Sequence, residues 1–60
     1  MKRRELLHRL QKNGCFLLRS GGNHDIYINS KTGKKQPIPR HNEIDEVLAR
    51  HIIRHLGVES

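Results

Sequence analysis

One histidine of the sequence lies where proton-transfer chemistry could take place. His24 follows Gly21 and Gly22 and begins a run whose residues 26–28 are β-branched or aromatic, as in a half-buried strand. We expect the two glycines to give the turn access to positive φ and to let another chain segment approach closely. A histidine held there stays near solvent, and its unperturbed pKa of about 6.5 suits proton exchange at cellular pH. Position alone leaves two interpretations of His24 open, a turn or capping residue and a general base or acid.

The net charge of the chain indicates the kind of molecule it binds. Twelve Lys and Arg against six Asp and Glu give a formal net charge of +6. Such a field favours polyanions, above all nucleic acid, whereas ordinary solubility charge is the alternative. RNA carries its own nucleophile, the 2′-hydroxyl, so an imidazole and nearby cations are sufficient to cleave it. The combination predicts ribonuclease chemistry that needs no metal and no cofactor.

The residues predicted to contact RNA are cations near the strands, together with a second histidine. His41 follows an edge strand and precedes a helix, whose positive end disfavours the protonated imidazole. It is one of three candidates for the second proton-transfer group, beside a lysine and water. The predicted RNA contacts are Arg19, Lys34, Lys35, Arg40 and His41.

Two further histidines raise the question of a metal site. His51 and His55 have the i, i+4 spacing that can chelate a metal ion. No other histidine, cysteine or paired carboxylate has a matching local spacing, so we expect no metal site. We expect His51 to be structural, because it falls on the apolar face of its helix.

The hydrophobic periodicity predicts an α+β fold. Neither predicted helix can bury its apolar stripe alone, so both should pack on one face of an antiparallel sheet. Pro37 and Pro39 indicate an edge strand. The predicted elements, in order, are a helix over residues 2–13, strands over 15–19, 25–29 and 36–40, and a helix from residue 44 to the glycine at 57.

Three details of this fold are also predicted. Phe16 and Tyr27 are the only aromatic residues, and both are expected in the core, which argues against a base-stacking surface. Asn42 with Asp45 resembles a capping box at the start of the last helix. If the isoleucines at 26 and 28 face the helices, alternation along the strand puts His24 on the same side, at the rim of the sheet.

The length and the single cysteine limit the class of protein. Sixty residues correspond to one small domain, over residues 1–60, with a small core. Cys15 has no partner for an internal disulfide, which fits a reducing compartment. The sequence has no signal-peptide pattern and no apolar run near the roughly 20 residues of a membrane span. We therefore expect a soluble protein of the cytoplasm.

Three motifs make the sequence resemble the HicA family, small toxins of type II toxin–antitoxin pairs that act as mRNA interferases. The family has a glycine and an aromatic at the first strand, a Gly-Ser-His turn with the catalytic histidine, and Pro-x-His before the last helix. Asn23 replaces the usual serine, and the usual Gly-Thr-Leu at the start of the last helix is absent. The motifs are Gly14-Cys15-Phe16, Gly21-Gly22-Asn23-His24 and Pro39-Arg40-His41-Asn42-Glu43-Ile44.

The resemblance implies a fold, a site and a partner. The fold is similar to the double-stranded-RNA-binding domain, α-β-β-β-α, with two helices on one face of a three-stranded antiparallel sheet. His24 takes the place of the catalytic histidine, and an antitoxin similar to HicB is the expected partner. Two alternatives differ in class: an RNA-binding module of the same fold that does not cleave, and an interaction protein whose charge only keeps it soluble.

Overall fold

The computed structural model describes residues 1–58 and has the predicted architecture. Three antiparallel strands form a sheet in the order β1-β2-β3, and apolar residues of both helices join one core on one face of it. The predicted α+β fold, α-β-β-β-α, is therefore confirmed. Strand β2 is central, and the two prolines lie on the edge strand β3, as predicted. The elements are α1 (Arg3–Lys12), β1 (Cys15–Ser20), β2 (His24–Asn29), β3 (Lys35–Pro39) and α2 (Glu46–His55).

Alternation along β2 decides which side chains face the helices. Tyr27 and Asn29 are 5% and 3% exposed and point toward the helices, with Asp25 half-buried on the same side. The isoleucines at 26 and 28 therefore point away from the helices, whereas the arrangement considered from the sequence has them facing the helices. His24 shares their side, as alternation requires, and no helix of the described residues covers this second side of the sheet. We call it the open face.

The two aromatic residues have different environments. Tyr27 lies in the core as predicted, whereas the prediction for Phe16 is wrong, because its side chain is 53% exposed. Phe16 pairs with Ile28 across β1 and β2, so it lies on the open face. Residues 1–58 form two helices, and both cover the other face.

Helix α2 begins directly after Asp45, whereas the predicted capping box requires Asn42 to be the N-cap. Asp45 is itself the N-cap, and its carboxylate accepts hydrogen bonds from the backbone N–H groups of Val47 and Leu48 at 3.1 and 3.4 Å. Ile44 is buried but precedes the helix, so it does not mark the helical face. The pairing of Asn42 with Asp45 as a capping box is therefore wrong.

The buried face of α2 does not include His51, which was expected on the apolar face of this helix. Ala49, Ile52 and Ile53 are the buried residues of the helix. Val47 is 70% exposed and His51 is exposed, so the expectation that His51 is structural is wrong. In α1, Leu6 and Leu10 are completely buried.

Candidate functional site at the His24 end of the sheet

The turn between β1 and β2 precedes His24 and differs from the turn we expected. Neither Gly21 nor Gly22 adopts a positive φ, so that expectation is wrong. The N–H of Gly21 donates to the carbonyl of His24 at 2.8 Å and closes the turn. A Cβ at Gly21 would lie 3.3 Å from the same carbonyl oxygen. The close approach predicted for a glycine therefore occurs at Gly21, whereas a Cβ at Gly22 would meet no atom within 4 Å.

The guanidinium of Arg40 holds this turn from the side. Its Nη1 donates to the carbonyl of Gly22 at 3.0 Å, and its Nη2 donates to the carbonyl of Gly21 at 2.7 Å. Its Nε and Nη2 also donate to Oδ1 of Asp25, at 3.0 and 2.8 Å. The last strand of the sheet is thereby connected to the turn and to the second residue of β2.

A second arginine reaches the same carboxylate from helix α1. Nη2 of Arg3 donates to Oδ2 of Asp25 at 2.8 Å, and its Nε donates to the carbonyl of Pro39 at 2.8 Å. The side chains of Arg3 and Asp25 are 20% and 16% exposed, and that of Arg40 is 45% exposed. We call Arg3, Asp25 and Arg40 the arginine clamp. It connects α1, β2, β3 and the turn at one end of the sheet.

The protonation state of Asp25 determines whether the clamp contains a negative charge. The hydrogen bonds from Arg40 hold the pKa of Asp25 below its usual range. Partial burial of the carboxylate opposes this lowering. The positive charge of Arg40 and a hydrogen bond from Arg3 lower the pKa further. Asp25 is therefore ionised at neutral pH. It lies on the helix side of β2, opposite His24, so it does not orient the imidazole.

His24 itself is the first residue of β2 and is exposed. Its backbone pairs with Pro39 on β3, and its side chain lies on the open face. Among residues 1–58 no hydrogen bond or ion pair involves its imidazole. Both ring nitrogens are therefore accessible from solvent, and the ring can take a proton from a bound molecule or give one to it.

Two of the predicted RNA contacts share the open face with His24. Arg19 pairs with Ile26, and Lys35 pairs with Ile28. At about 3.3 Å per residue, these positions lie roughly 7 and 13 Å along the sheet from His24. Both side chains are exposed, so the open face presents cations along its length.

The other predicted RNA contacts lie elsewhere. Lys34 is exposed in the turn between β2 and β3, at the end of the sheet remote from His24. His41 is exposed and follows Arg40 beyond the end of β3. Arg40 is engaged in the arginine clamp. The geometry does not test whether these residues bind RNA, and their assignment stays a prediction.

The open face also presents apolar surface along the edge strand β1. Phe16, which pairs with Ile28 on this face, is 53% exposed. Leu17 and Leu18 of the same strand are 51% and 46% exposed, and Leu17 lies on the helix side because it pairs with Tyr27. The register of β1 against β2 shifts between Leu17 and Arg19, which marks a bulge. Apolar side chains beside exposed cations form a surface that suits either nucleic-acid bases or another protein.

Sequence reasoning missed one member of this site, Arg3. It lies in a basic run at the start of α1, and no local pattern distinguishes it from Lys2 or Arg4. Its partner Asp25 is 22 residues away in the chain. The contact arises because the first turn of α1 packs against the end of β3, where the N–H of Arg3 donates to the carbonyl of Asn42 at 2.9 Å.

A groove beside this end of the molecule is also basic. It has a volume of about 700 Å³ and runs along the side of α1. Its one acidic residue, Glu43, lies 3.0 Å from the amino group of Met1. The residues that line it are Lys2, Arg3, Arg4, Leu7, His8, Gln11, Asn42 and Glu43.

The histidine pair of α2 does not form a larger ligand cluster. The rings of His51 and His55 stack with centroids 5.9 Å apart. Within the described part of the chain, no group of three or more His, Cys, Asp and Glu side chains is arranged to hold a metal ion. In the same residues, no helix is long and apolar enough to cross a membrane.

The fold and the site together define a class of protein: a small basic α+β domain whose uncovered sheet face carries a single solvent-accessible histidine. The family described as "HicA toxin of bacterial toxin-antitoxin" matches residues 3–58, and the chain belongs to this family. Membership makes it a toxin of a toxin–antitoxin system and implies an antitoxin partner. No curated protein and no solved structure was found to match the chain.

Proposed function

We propose that this toxin is a metal-independent endoribonuclease that cleaves mRNA in the cytoplasm, with His24 as its catalytic residue. The observation that carries the proposal is the position of His24: an exposed imidazole without a protein partner among residues 1–58, at the start of the central strand. Family membership supports it, because the toxin must act on some component of the cell. The excess of positive charge favours RNA as that component.

The proposed reaction uses the hydroxyl of the substrate as nucleophile. His24 removes the proton from the 2′-hydroxyl, the 2′-oxygen forms a bond to phosphorus, and the bond from phosphorus to the 5′-oxygen breaks. The leaving oxygen takes a proton from a second group, for which His41, a lysine and water are the candidates. The products are a 2′,3′-cyclic phosphate and a 5′-hydroxyl.

Cations on the open face stabilise the charge that develops on the phosphoryl oxygens. Arg19 lies nearest to His24 along the sheet, and Lys35 and Lys34 extend the positive surface toward its other end. Phe16 adds an exposed aromatic ring on which a base can stack. A single strand of RNA laid along the open face would meet Arg19, Phe16 and Lys35.

The test is a comparison of the parent chain with a His24→Ala variant. We expect the parent to shorten RNA in excess EDTA, and the variant to leave RNA intact and to be harmless when produced in cells. The thermal transition should stay within a few degrees, because an exposed side chain contributes little to the core. A His55→Ala variant, which removes an exposed histidine of α2, is the matched control and should cleave like the parent.

The rival function is an RNA-binding module that does not cleave. It predicts intact RNA with the parent chain and an RNA affinity that falls steeply with salt, as counterions are released from neutralised phosphates. Cleavage that stops with EDTA and returns with Mg²⁺ would contradict the metal-independent mechanism. Full toxicity of the His24→Ala variant would contradict the assignment of the catalytic residue.

We propose further that the antitoxin is a HicB-like acidic protein that acts by occlusion. A chain with a net charge of +6 associates readily with an acidic partner. The exposed Phe16, Leu17 and Leu18 give such a partner apolar surface to bury along β1, the strand next to β2. In the complex, hydrogen exchange should slow over residues 21–25 and 40–42. Protection confined to the outer faces of the two helices would exclude occlusion.

A further inference from the structure

The hydrogen bonds of Arg40 leave it little capacity to bind a phosphate. A guanidinium has one N–H on Nε and two on each Nη. Nε and both N–H groups of Nη2 are directed at Asp25 and Gly21, and Nη1 donates to Gly22. Its charge is also partly neutralised by the carboxylate of Asp25, 2.8 Å away, which it shares with Arg3. A role in direct RNA contact would require this set of bonds to break.

The turn that Arg40 holds needs such support. Gly21 and Gly22 are adjacent residues with large conformational freedom, and ordering them costs more entropy than ordering any other residue type. The backbone bond from Gly21 to His24 closes the turn, but the two glycine carbonyls point outward and accept from Arg40. The backbone of His24 pairs with Pro39 on β3, and its carbonyl accepts from the N–H of Gly21, a residue that this guanidinium also holds.

We infer that Arg40 is a positioning residue, which fixes the Gly21–Gly22 turn and thereby the backbone of His24, with Asp25 and Arg3 holding Arg40 in place. The effect on catalysis rests on the proposed function, whereas the effect on the turn does not. Displacement of a reacting group by about 1 Å can reduce a rate roughly 100-fold. The clamp therefore acts on the catalytic step and leaves substrate affinity largely unchanged.

The test uses two substitutions of Arg40 and one matched control. Arg40→Gln removes the charge and most of the hydrogen bonds. Arg40→Lys keeps the positive charge but places it on a compact ammonium group. This group cannot bond two carbonyls and a carboxylate at the same time, as the planar guanidinium does. Arg54→Gln removes an exposed arginine from α2, which the clamp does not contact. Circular dichroism verifies that each variant is folded.

The first measurement is RNA cleavage, separated into kcat and KM. We expect Arg40→Gln to lower kcat about 100-fold with KM within about twofold. Arg40→Lys should recover only a small part of this loss, and Arg54→Gln should behave like the parent. A raised KM with unchanged kcat, restored by Arg40→Lys, would overturn the inference, because it would identify Arg40 as a phosphate contact.

The second measurement does not depend on cleavage. In the absence of RNA, the Gly21 amide, which donates to His24, should exchange with solvent about tenfold faster in Arg40→Gln than in the parent. Unchanged exchange at Gly21 would overturn the inference whether or not the chain cleaves RNA. If the parent cleaves no RNA but the variant accelerates this exchange, the proposed function fails and the clamp stands. If Arg40→Gln does not fold, Asp25→Asn replaces it, since it weakens the same contacts with a side chain of equal size.

Discussion

The two ends of strand β2 are held by different kinds of interaction. At one end, the arginine clamp uses charged and partly exposed side chains around Asp25. At the other end, the neutral side chain of Asn29 is 3% exposed. Its Nδ2 donates to the carbonyl of Leu56 in the C-cap of α2, and its Oδ1 accepts from the N–H of Lys31 at 2.8 Å.

This difference separates stability from function within a small chain. A buried, satisfied amide is insensitive to pH and salt, and removal of it leaves buried backbone groups without partners. The ion pairs of the clamp are partly exposed, and such pairs respond to pH and salt. The Asn29 end therefore maintains the fold, whereas the clamp end maintains the geometry of one turn beside the candidate catalytic residue.

The largest effect on stability should come from a substitution of Asn29, at the neutral end of β2. Asn29→Ala leaves the carbonyl of Leu56 and the N–H of Lys31 unsatisfied, so we expect the free energy of unfolding to fall by about 2–3 kcal/mol. For a domain of this size, that lowers Tm by roughly 10 °C or more. Thermal unfolding followed by circular dichroism measures it, with Gln11→Ala on the exposed side of α1 as control. Equal Tm values for the two variants would show that the Asn29 network does not stabilise the fold.

The order of elements could be predicted because it depends on local patterns. Alternation, prolines and helical periodicity are properties of neighbouring residues, and they correctly predicted the three strands and the sheet. The position of His24 at the start of β2 followed from the same patterns. Nothing in the structure tests its chemistry.

The faces and the long-range contacts could not be predicted in the same way. The isoleucines of β2 are more apolar than Tyr27 and Asn29, yet Tyr27 and Asn29 are buried, because Asn29 binds the end of α2. Asp45 sets the start of α2, and the packing of the helix against the core leaves Ala49, Ile52 and Ile53 buried. Arg40 was predicted only as an RNA contact near the strands, and its bonds to the turn depend on tertiary packing that no local spacing encodes.

A smaller and more local effect should follow from acidification. The pKa of Asp25 lies below its ordinary value of 3.8 because Arg40 donates hydrogen bonds to the carboxylate. A carboxyl whose pKa is lower in the folded than in the unfolded state stabilises the fold above the ordinary pKa. This stabilisation is lost as the pH falls through the lowered value. Below about pH 4, the clamp should therefore weaken while the Asn29 end is unaffected.

The amide signals of Gly21 and Gly33 allow the two ends of β2 to be followed separately in one NMR titration. The N–H of Gly21 is bonded in the clamped turn, and the N–H of Gly33 donates to the carbonyl of Asn29 at 2.7 Å in the opposite turn. The Gly21 amide shift should change as Asp25 is protonated, and the Gly33 shift should not. An Asp25→Asn variant should show no such titration at Gly21. Parallel changes at both glycines would mean that acid unfolds the whole chain and that the ends are not separately controlled.

The smallest effect on stability should come from a substitution of Phe16. Its side chain is larger than that of Ile28, with which it pairs across β1 and β2. Its ring is 53% exposed and lies on the open face, outside the core cluster. Phe16→Ser should change the free energy of unfolding by about 0.5 kcal/mol or less, far below the effect of Asn29→Ala. Binding of RNA to the His24→Ala chain should nevertheless weaken when Phe16 is replaced, because stacking contributes about 1–3 kcal/mol per base. Thermal unfolding and a fluorescence binding titration on the same variants separate the two quantities. A fall in Tm comparable to that of Asn29→Ala would place Phe16 in the structural core and remove it from the proposed RNA surface.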